Sequence, residues 1–134
     1  MPVSLTTTAG GVTHGNPFVG PVNHTAQLKP DISALTANEV DANGYLKPGV
    51  PFTVAGLLPG AGTVVWGVTV EATKVAASNS AADIAAVTTD PFVTVATICQ
   101  VNQDIIEDTL GRALTADELA AFAAAGSLCR LLPT

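Results

Sequence analysis

Charge is scarce in this sequence. Charged residues make up 12% of the 134 residues, against about 25% in typical globular proteins. The 5 Lys and Arg residues against 11 Asp and Glu residues give a formal net charge of −6. Because affinity for a nucleic-acid duplex or an anionic membrane rests on Lys and Arg side chains, this balance argues against both. The composition therefore predicts that the chain binds neither nucleic acid nor a membrane surface.

Long hydrophobic runs are lacking as well. No uninterrupted apolar run reaches the about 20 residues that cross a bilayer. The opening MPVSLTTTAGG has neither the positive region nor the apolar stretch of a secretory signal, so we expect none. Hydrophobic residues nevertheless make up 48% of the chain, enough to build one domain with its own core. We expect a single, weakly charged domain with much surface meant to be covered.

Cysteine is too rare for a disulfide framework, since only Cys99 and Cys129 are present. Each lies in an apolar, strand-like stretch, where a free thiol behaves as a small hydrophobic residue. We expect two buried, reduced thiols. A Cys99–Cys129 bridge stays open in case the two strands are neighbours.

Residues that carry out catalysis are also scarce. The two histidines, His14 and His24, have no Cys or carboxylate at the spacing of a zinc site. Asp104, Glu107 and Asp108 share one face of a predicted helix, which favours a solvated face over an acid–base pair or a metal site. Neither a Gly-x-Ser-x-Gly motif nor a Walker loop occurs. The sequence thus predicts no enzyme, no cofactor and no metal.

The first thirty residues differ from the remainder. They are rich in Gly, Pro and Thr, and Lys29 is their one charged side chain. Such a segment alone buries too little apolar surface to offset its conformational entropy. Two interpretations stay open, a loose terminus or a docking arm that becomes ordered by adding a strand to another protein. We expect an extended arm over residues 1–30 and a single domain over residues 31–134.

Turns and strands are expected from about Ile32 onward. Asn43-Gly44 and Lys47-Pro48-Gly49 are typical of tight turns. The run 63–72 alternates, which predicts a strand with Val64, Trp66, Val68 and Val70 on its buried face. A second strand is expected over residues 92–101, with apolar residues on both faces and therefore covered on both sides.

Two short helices are expected near the C-terminus. Asn102 is a plausible N-cap for the first, which Gly111 ends. Thr115 and Glu118 form a capping-box pattern for the second, and its predicted apolar stripe is Leu119, Phe122 and Ala123. The segment SLCRLL follows as a last strand. Residues 74–86 stay ambiguous, and within them residues 79–86 form either one helical turn or a surface loop. The expected class is mostly β (α+β), a β-rich domain with two short helices and an extended N-terminal arm.

Three segments carry a resemblance, and they read GYLKPGVPF (44–52), GVTVEATKVA (67–76) and VNQDIIEDTLGRALTADELAAFAAAG (101–126). The most specific part is V-N-x-D-I-I-E-D followed by L-G-R-A-L-T-A-x-E-L. Together they resemble the capsid decoration proteins of tailed bacteriophages, the family typified by the lambda head decoration protein. The likeness covers about residues 12–128, although the lambda protein itself is shorter and differs across the C-terminal phrase.

The resemblance implies a structural role in the virion. Members of the family bind the outside of the expanded capsid, usually as trimers at local three-fold positions, and reinforce it against the pressure of the packaged DNA. Their N-terminal arm runs over the major capsid protein and often adds a strand to it. By this resemblance the partners are the major capsid protein and other copies of the chain. The candidate capsid-contact residues are Val12, His14, Pro17, Phe18 and Val19.

Two other functions stay open. One is a different β-rich virion module, such as a head fibre base or a tail component. The other is a carbohydrate- or cell-surface-binding module, which the aromatic content of 4% makes less attractive because such modules present exposed aromatic rings. The resemblance favours the exterior of the capsid as the location, after synthesis in the host cytoplasm.

Overall fold

The computed structural model describes residues 6–9 and 12–133. For residues 6–9 and 12–14 it describes the backbone only. Nine strands and three α-helices follow one another in the described residues. The strands are β1 (Thr6–Ala9), β2 (Val12–Gly15), β3 (His24–Leu28), β4 (Tyr45–Leu46), β5 (Pro51–Phe52), β6 (Gly67–Thr69), β7 (Thr73–Lys74), β8 (Val93–Asn102) and β9 (Cys129–Leu132). The helices are α1 (Ala81–Ala85), α2 (Gln103–Leu110) and α3 (Ala116–Ala125), with a 3-10 helix at Ile32–Ala34. The predicted β-rich α+β class, with two short helices near the C-terminus, is confirmed.

The long strand β8 is the centre of the main sheet. It lies between β3 and β6, both antiparallel to it, and β5 follows β6 on the far side. The last strand, β9, runs parallel to the end of β8. The sequence run 92–101 therefore predicted β8 to within one residue. Two further pairs, β1–β2 and β4–β7, form separate two-stranded antiparallel sheets.

One hydrophobic core joins the main sheet, α2, α3 and the central loops. Its largest fully buried apolar side chains are Phe52, Ile32, Leu46, Ile106, Leu110, Val40, Val50, Val68, Val95 and Val101. Burial of each such side chain contributes roughly 1.5–3 kcal/mol, so this cluster is the main source of stability. Among the described helices, none has the length and apolarity needed to cross a bilayer.

Local capping signals placed both C-terminal helices correctly. Asn102 accepts hydrogen bonds from the backbone N–H groups of Asp104 and Ile105, which starts α2, and Gly111 ends it with a φ of 70°. Thr115 and Glu118 form the full reciprocal capping box of α3. The two turns at Gly44 and Gly49 are also confirmed, with φ angles of 81° and 92°.

The expectation that regular structure begins near Ile32 is wrong. Strand β3 pairs with β8 from His24 to Leu28 and forms an edge of the main sheet. Its five residues include only one buried side chain, Leu28, so the segment has little hydrophobic periodicity of its own. The strand forms because β8 supplies hydrogen-bond partners, a tertiary effect that a local pattern does not contain.

The alternating strand expected over residues 63–72 is largely wrong. Only Gly67–Thr69 pair as a strand, and all three residues are buried. Before them, Val65 is 2% exposed whereas Val64 is 49% exposed, the reverse of the predicted facing. The Val65 N–H donates to the carbonyl of Ala121 on α3, so residues 63–65 lie outside the sheet.

Two predicted burial patterns are only partly right. The buried face of α3 consists of Glu118, Ala121, Phe122 and Ala125, so Phe122 is buried as predicted, whereas Leu119 and Ala123 are exposed. The buried face differs from the predicted one because Glu118 points inward and pairs with Arg112. Hydrophobicity alone does not reveal this ion pair. The expectation that β8 is covered on both sides fails at Ile98, which is 43% exposed.

Candidate functional site

The N-terminal strands β1 and β2 pair with each other, from Thr6 opposite Gly15 to Ala9 opposite Val12. Within the described residues, neither strand joins another sheet. The end of β2 lies near α2, since a Cβ placed on Gly15 would lie 3.2 Å from the Ile105 side chain. Val12 and His14, two predicted contact residues, lie on β2, and their side chains are outside the described part of the chain.

The other predicted contact residues belong to the body of the domain. The Pro17 carbonyl accepts from the Asn102 N–H at 2.7 Å, and the Val19 N–H donates to the Gln100 carbonyl at 2.8 Å. Between them, Phe18 forms an antiparallel bridge with Val101 on β8.

The side chains in this stretch also pack internally. Pro17 is buried, and its ring would lie 3.0 Å from a Cβ on Gly49. Phe18 packs against the hydrophobic core. Pro17 and Phe18 therefore have an internal packing role, and their contact with another protein stays a prediction. Val19 is half-buried and lines a surface cavity of about 430 Å³ together with His24 and Cys99.

A buried cluster of charges connects α3 to the loop before β4. Arg112 donates two hydrogen bonds to the Glu118 carboxylate, at 2.7 and 3.1 Å, and lies 3.6 Å from Glu39. The Glu39 and Glu118 residues are 1% and 2% exposed. A further hydrogen bond runs from the Lys47 ammonium to the Thr109 carbonyl at the end of α2. These side chains join four segments of the chain through charge-assisted hydrogen bonds.

The pKa values of this cluster follow from burial and pairing. Burial alone would raise the pKa of Glu118, but hydrogen bonds from Arg112 and Thr115 outweigh it and leave that pKa below its ordinary value. The same pairing with Glu118 raises the pKa of Arg112. Desolvation lowers the pKa of Lys47, although Asp41 and Glu39 oppose the shift. Glu118 therefore stays ionised and paired with Arg112 at neutral pH, which suits a structural role.

The predicted acidic face of α2 is solvated at only two of its three positions. Asp104 and Asp108 are exposed, as expected. Glu107, in contrast, accepts hydrogen bonds from the Leu114 N–H at 2.8 Å and from Gln103 at 3.3 Å. It therefore fastens the loop between α2 and α3. Over the described ranges, no three His, Cys, Asp or Glu residues gather in a way that could hold a metal ion.

The two cysteines face each other across neighbouring strands. Cys99 on β8 and Cys129 on β9 are register partners, and both are buried and free. The neighbouring Cys129 thiol, together with burial, raises the pKa of Cys99 and keeps it protonated. The expectation of buried thiols is confirmed, and the condition that the two strands be neighbours is also met.

An open apolar groove of about 700 Å³ lies beside β8. Its walls come from the loops around residues 53–55 and 63–66, from Thr97 and Ile98 on β8, and from the end of α3 through Leu128. None of its lining residues is charged. Four of them are large, solvent-exposed aliphatic side chains, Val54, Val64, Ile98 and Leu128.

Trp66 also lines the groove. It is partly buried against the core instead of lying fully inside it. Its segment hydrogen-bonds to the sheet through its own N–H and the Phe52 carbonyl. Sequence reasoning missed the groove because the alternation of residues 63–72 assigned Val64 to the buried face. The signal that could have found it is the pair of adjacent valines, Val64 and Val65, since only one of them can face inward.

Comparison of the chain with protein-family models, with curated proteins and with solved structures finds no match.

Proposed function

We propose that the chain is a structural capsid decoration protein of a tailed bacteriophage. In this proposal it binds the outer surface of the expanded head as a trimer at local three-fold positions. Its N-terminal arm docks on the major capsid protein, and the bound shell withstands the pressure of the packaged DNA. The protein works on the exterior of the virion after synthesis in the host cytoplasm.

The observation that carries the proposal is the position of the β1–β2 pair. Among the described strands, these two pair only with each other and stand apart from the main sheet. A two-stranded ribbon offers unpaired N–H and C=O groups on its outer edges, and an extended partner strand can pair with such edges. The β1–β2 pair is thus suited to bind the backbone of another protein without the need for charge.

The most specific resembling phrase also supports the proposal. Residues 101–126 form one continuous unit, the end of β8, then α2, then α3. Within that unit Asn102, Gly111, Thr115 and Glu118 cap the helices, and Arg112 pairs with Glu118. The capping and ion-pairing residues of the phrase are thus the ones that stabilise α2, α3 and the loop between them.

The net charge fits the proposed location. A chain with a formal charge of −6 has no electrostatic attraction to the packaged DNA. It therefore suits the outer side of a DNA-filled shell. The same charge keeps individual copies soluble before they bind.

Immunogold labelling of intact virions tests where the protein acts. The proposal predicts gold particles over the whole head, at a density that follows the number of three-fold positions. Label confined to the tail or to one vertex would overturn it in favour of a tail component or a fibre base. A virion from which the gene has been deleted serves as the control for antibody specificity.

A further inference from the structure

The two cysteines lie side by side in the parallel strand pair β8–β9. Cys99 is the register partner of Cys129, and the Cys99 N–H donates to the Leu128 carbonyl at 2.8 Å, which fixes this register where β9 begins. Neighbouring strands lie about 4.8 Å apart, and a disulfide bond joins Cα atoms that are about 4.4–6.8 Å apart. The backbone therefore places the two cysteines at a separation that a disulfide bond can span.

Both cysteine side chains point to the same face of the strand pair. Cys99 and Cys129 are 7% and 0% exposed. In the next register pair, Gln100 and Arg130 are both exposed, as expected where side chains alternate between two faces. The Cys129 thiol reaches across to β8, since it donates to the Thr97 carbonyl at 3.6 Å. The two thiols thus share one buried face, and neither side chain has to change faces for the sulfur atoms to meet.

One of the two thiols is accessible from a surface cavity. Cys99 lines the cavity of about 430 Å³ to which Val19 and His24 also belong, and a cavity of this size admits a small organic molecule. Cys129 does not line this cavity and is fully buried. A small oxidant from solution therefore meets Cys99 first and reaches Cys129 only through it.

We propose that Cys99 and Cys129 form a reversible disulfide bond that fastens β9 to β8, with a small-molecule disulfide as the oxidant. The Cys99 thiolate attacks one sulfur atom of the oxidant, whose S–S bond breaks and releases the first small thiol. The Cys129 sulfur then attacks the Cys99 sulfur and releases the second. Two electrons pass from the cysteine sulfur atoms to the oxidant, and the two cysteine protons end on the two released thiols. An excess of small thiol reverses both steps.

The bond closes a loop over residues 99–129, which contains α2, α3 and the Arg112–Glu118 ion pair. Among the described strands, β9 pairs only with β8, so the bond reinforces the one ladder that holds it. Closing a loop of about thirty residues restricts the unfolded chain and thereby stabilises the fold. A reducing compartment keeps the thiols free, and an oxidising one closes the bond. The inference goes beyond the proposed function and does not rest on it.

Oxidation of the folded, full-length chain with 2-hydroxyethyl disulfide tests the bond. The reaction is run at about pH 8.5, because exchange requires a thiolate and the pKa of Cys99 is raised. Peptide mapping without reductant should recover one crosslinked pair, Cys99 joined to Cys129 within one chain, with the mass of two hydrogen atoms lost. A persistent adduct of the small thiol on Cys99, or a disulfide between two chains, would overturn the proposal.

Refolding tests the same bond where burial does not limit access. The reduced chain is unfolded in urea and then refolded in an oxidising mixture of oxidised and reduced glutathione. We expect the Cys99–Cys129 bond to form, and two free thiols in the refolded chain would overturn the proposal. A bond that forms on refolding but never in the folded chain would contradict entry of the oxidant through the cavity.

Thermal unfolding measures what the bond does to the fold. We expect the oxidised chain to unfold at least about 5 °C above the reduced chain. Cys99→Ala and Cys129→Ala are the matched controls, since each leaves a single thiol and should show no such rise with the oxidant. The main comparison is between two forms of the unaltered chain, so it does not depend on how well the variants fold. An oxidised chain that unfolds at or below the midpoint of the reduced chain would contradict the fastening of β9.

Discussion

Arg112 illustrates how one residue can hold several segments of a weakly charged protein. It is one of only 5 basic residues in the chain, and it pairs with two acids that are almost fully buried. A buried carboxylate without a partner is costly, whereas a paired one with good hydrogen bonds is tolerated. The position of α3 against the loop at Glu39 thus depends on this arginine.

Replacement of Arg112 by alanine should therefore destabilise the protein strongly. We expect Arg112→Ala to lower the free energy of unfolding by about 3–5 kcal/mol, because Glu39 and Glu118 stay buried without their partner. Urea denaturation monitored by Trp66 fluorescence measures the change. Arg130→Ala, at an exposed position on β9, is the control and should change the free energy by less than about 0.5 kcal/mol. Equal effects of the two substitutions would contradict the role given to the buried cluster.

The same cluster predicts a pH dependence. The folded-state pKa of Glu118 lies below its ordinary value, so its ionised form stabilises the fold above the ordinary value of about 4.3. That contribution is lost as the pH falls through the folded-state pKa. We expect Glu118→Gln to cost about 2 kcal/mol at pH 7 and progressively less below about pH 4. Urea titrations at several pH values measure the difference, and a gap that stays constant down to pH 3 would be inconsistent with this pairing.

Gly44 is a position where only glycine fits. Its φ is +81°, and a Cβ there would lie 1.9 Å from the Ala76 carbonyl oxygen. We expect Gly44→Ala to lower the free energy of unfolding by more than about 2 kcal/mol, since backbone strain and a backbone clash add together. Gly60→Ala is the matched control, because nothing lies within 4 Å of its added Cβ and its φ is ordinary. Thermal unfolding of both variants should separate them clearly; similar midpoints would argue against the turn geometry.

At the scale of elements, the sequence predicted best where the cause is local. Asn102, Gly111 and the Thr115–Glu118 pair act within one turn of backbone, so the bounds of α2 and α3 followed from them. The failures lie where a distant partner decides. Strand β3 exists because β8 pairs with it, and residues 63–65 leave the sheet because the Val65 N–H donates to a carbonyl of α3.

The capping box of α3 gives a prediction at this scale. Thr115→Ala removes the hydroxyl that accepts from the Glu118 N–H at 3.1 Å. We expect a loss of about 1 kcal/mol in the free energy of unfolding, the usual cost of an N-cap. Ser127→Ala, on the exposed turn between α3 and β9, is the control and should be close to neutral. A neutral Thr115→Ala would mean that α3 does not depend on its cap.

At the scale of the whole molecule, the candidate site was only partly accessible to sequence reasoning. The resemblance indicated an N-terminal arm, but nothing local showed that Pro17, Phe18 and Val19 are held by β8. The groove was hidden for a related reason, since Val54, Ile98 and Leu128 meet only after the chain has folded. Surfaces built from distant segments have no signature in a single sequence.

Because residues 17–19 and β3 are hydrogen-bonded to β8, a deletion that tests the predicted arm over residues 1–30 should leave them in place. Deletion of residues 1–30 would take away β3, an edge strand of the main sheet, together with the Pro17 and Val19 hydrogen bonds. Deletion of residues 1–14 removes β1 and nearly all of β2 and leaves those contacts in place. The shorter deletion therefore separates loss of the β1–β2 pair from loss of the fold, which thermal unfolding of the deleted chain can verify.

The most direct test of the proposed decoration function is co-sedimentation with expanded, undecorated capsids of the tailed bacteriophage to which the proposal assigns the chain. We predict saturable binding of the full-length chain at a fixed ratio to capsid subunits, and loss of binding after deletion of residues 1–14 from a chain that still folds. Failure of the intact, folded chain to sediment with the capsids would contradict the decoration function, and full binding by the deleted chain would contradict the role of the arm.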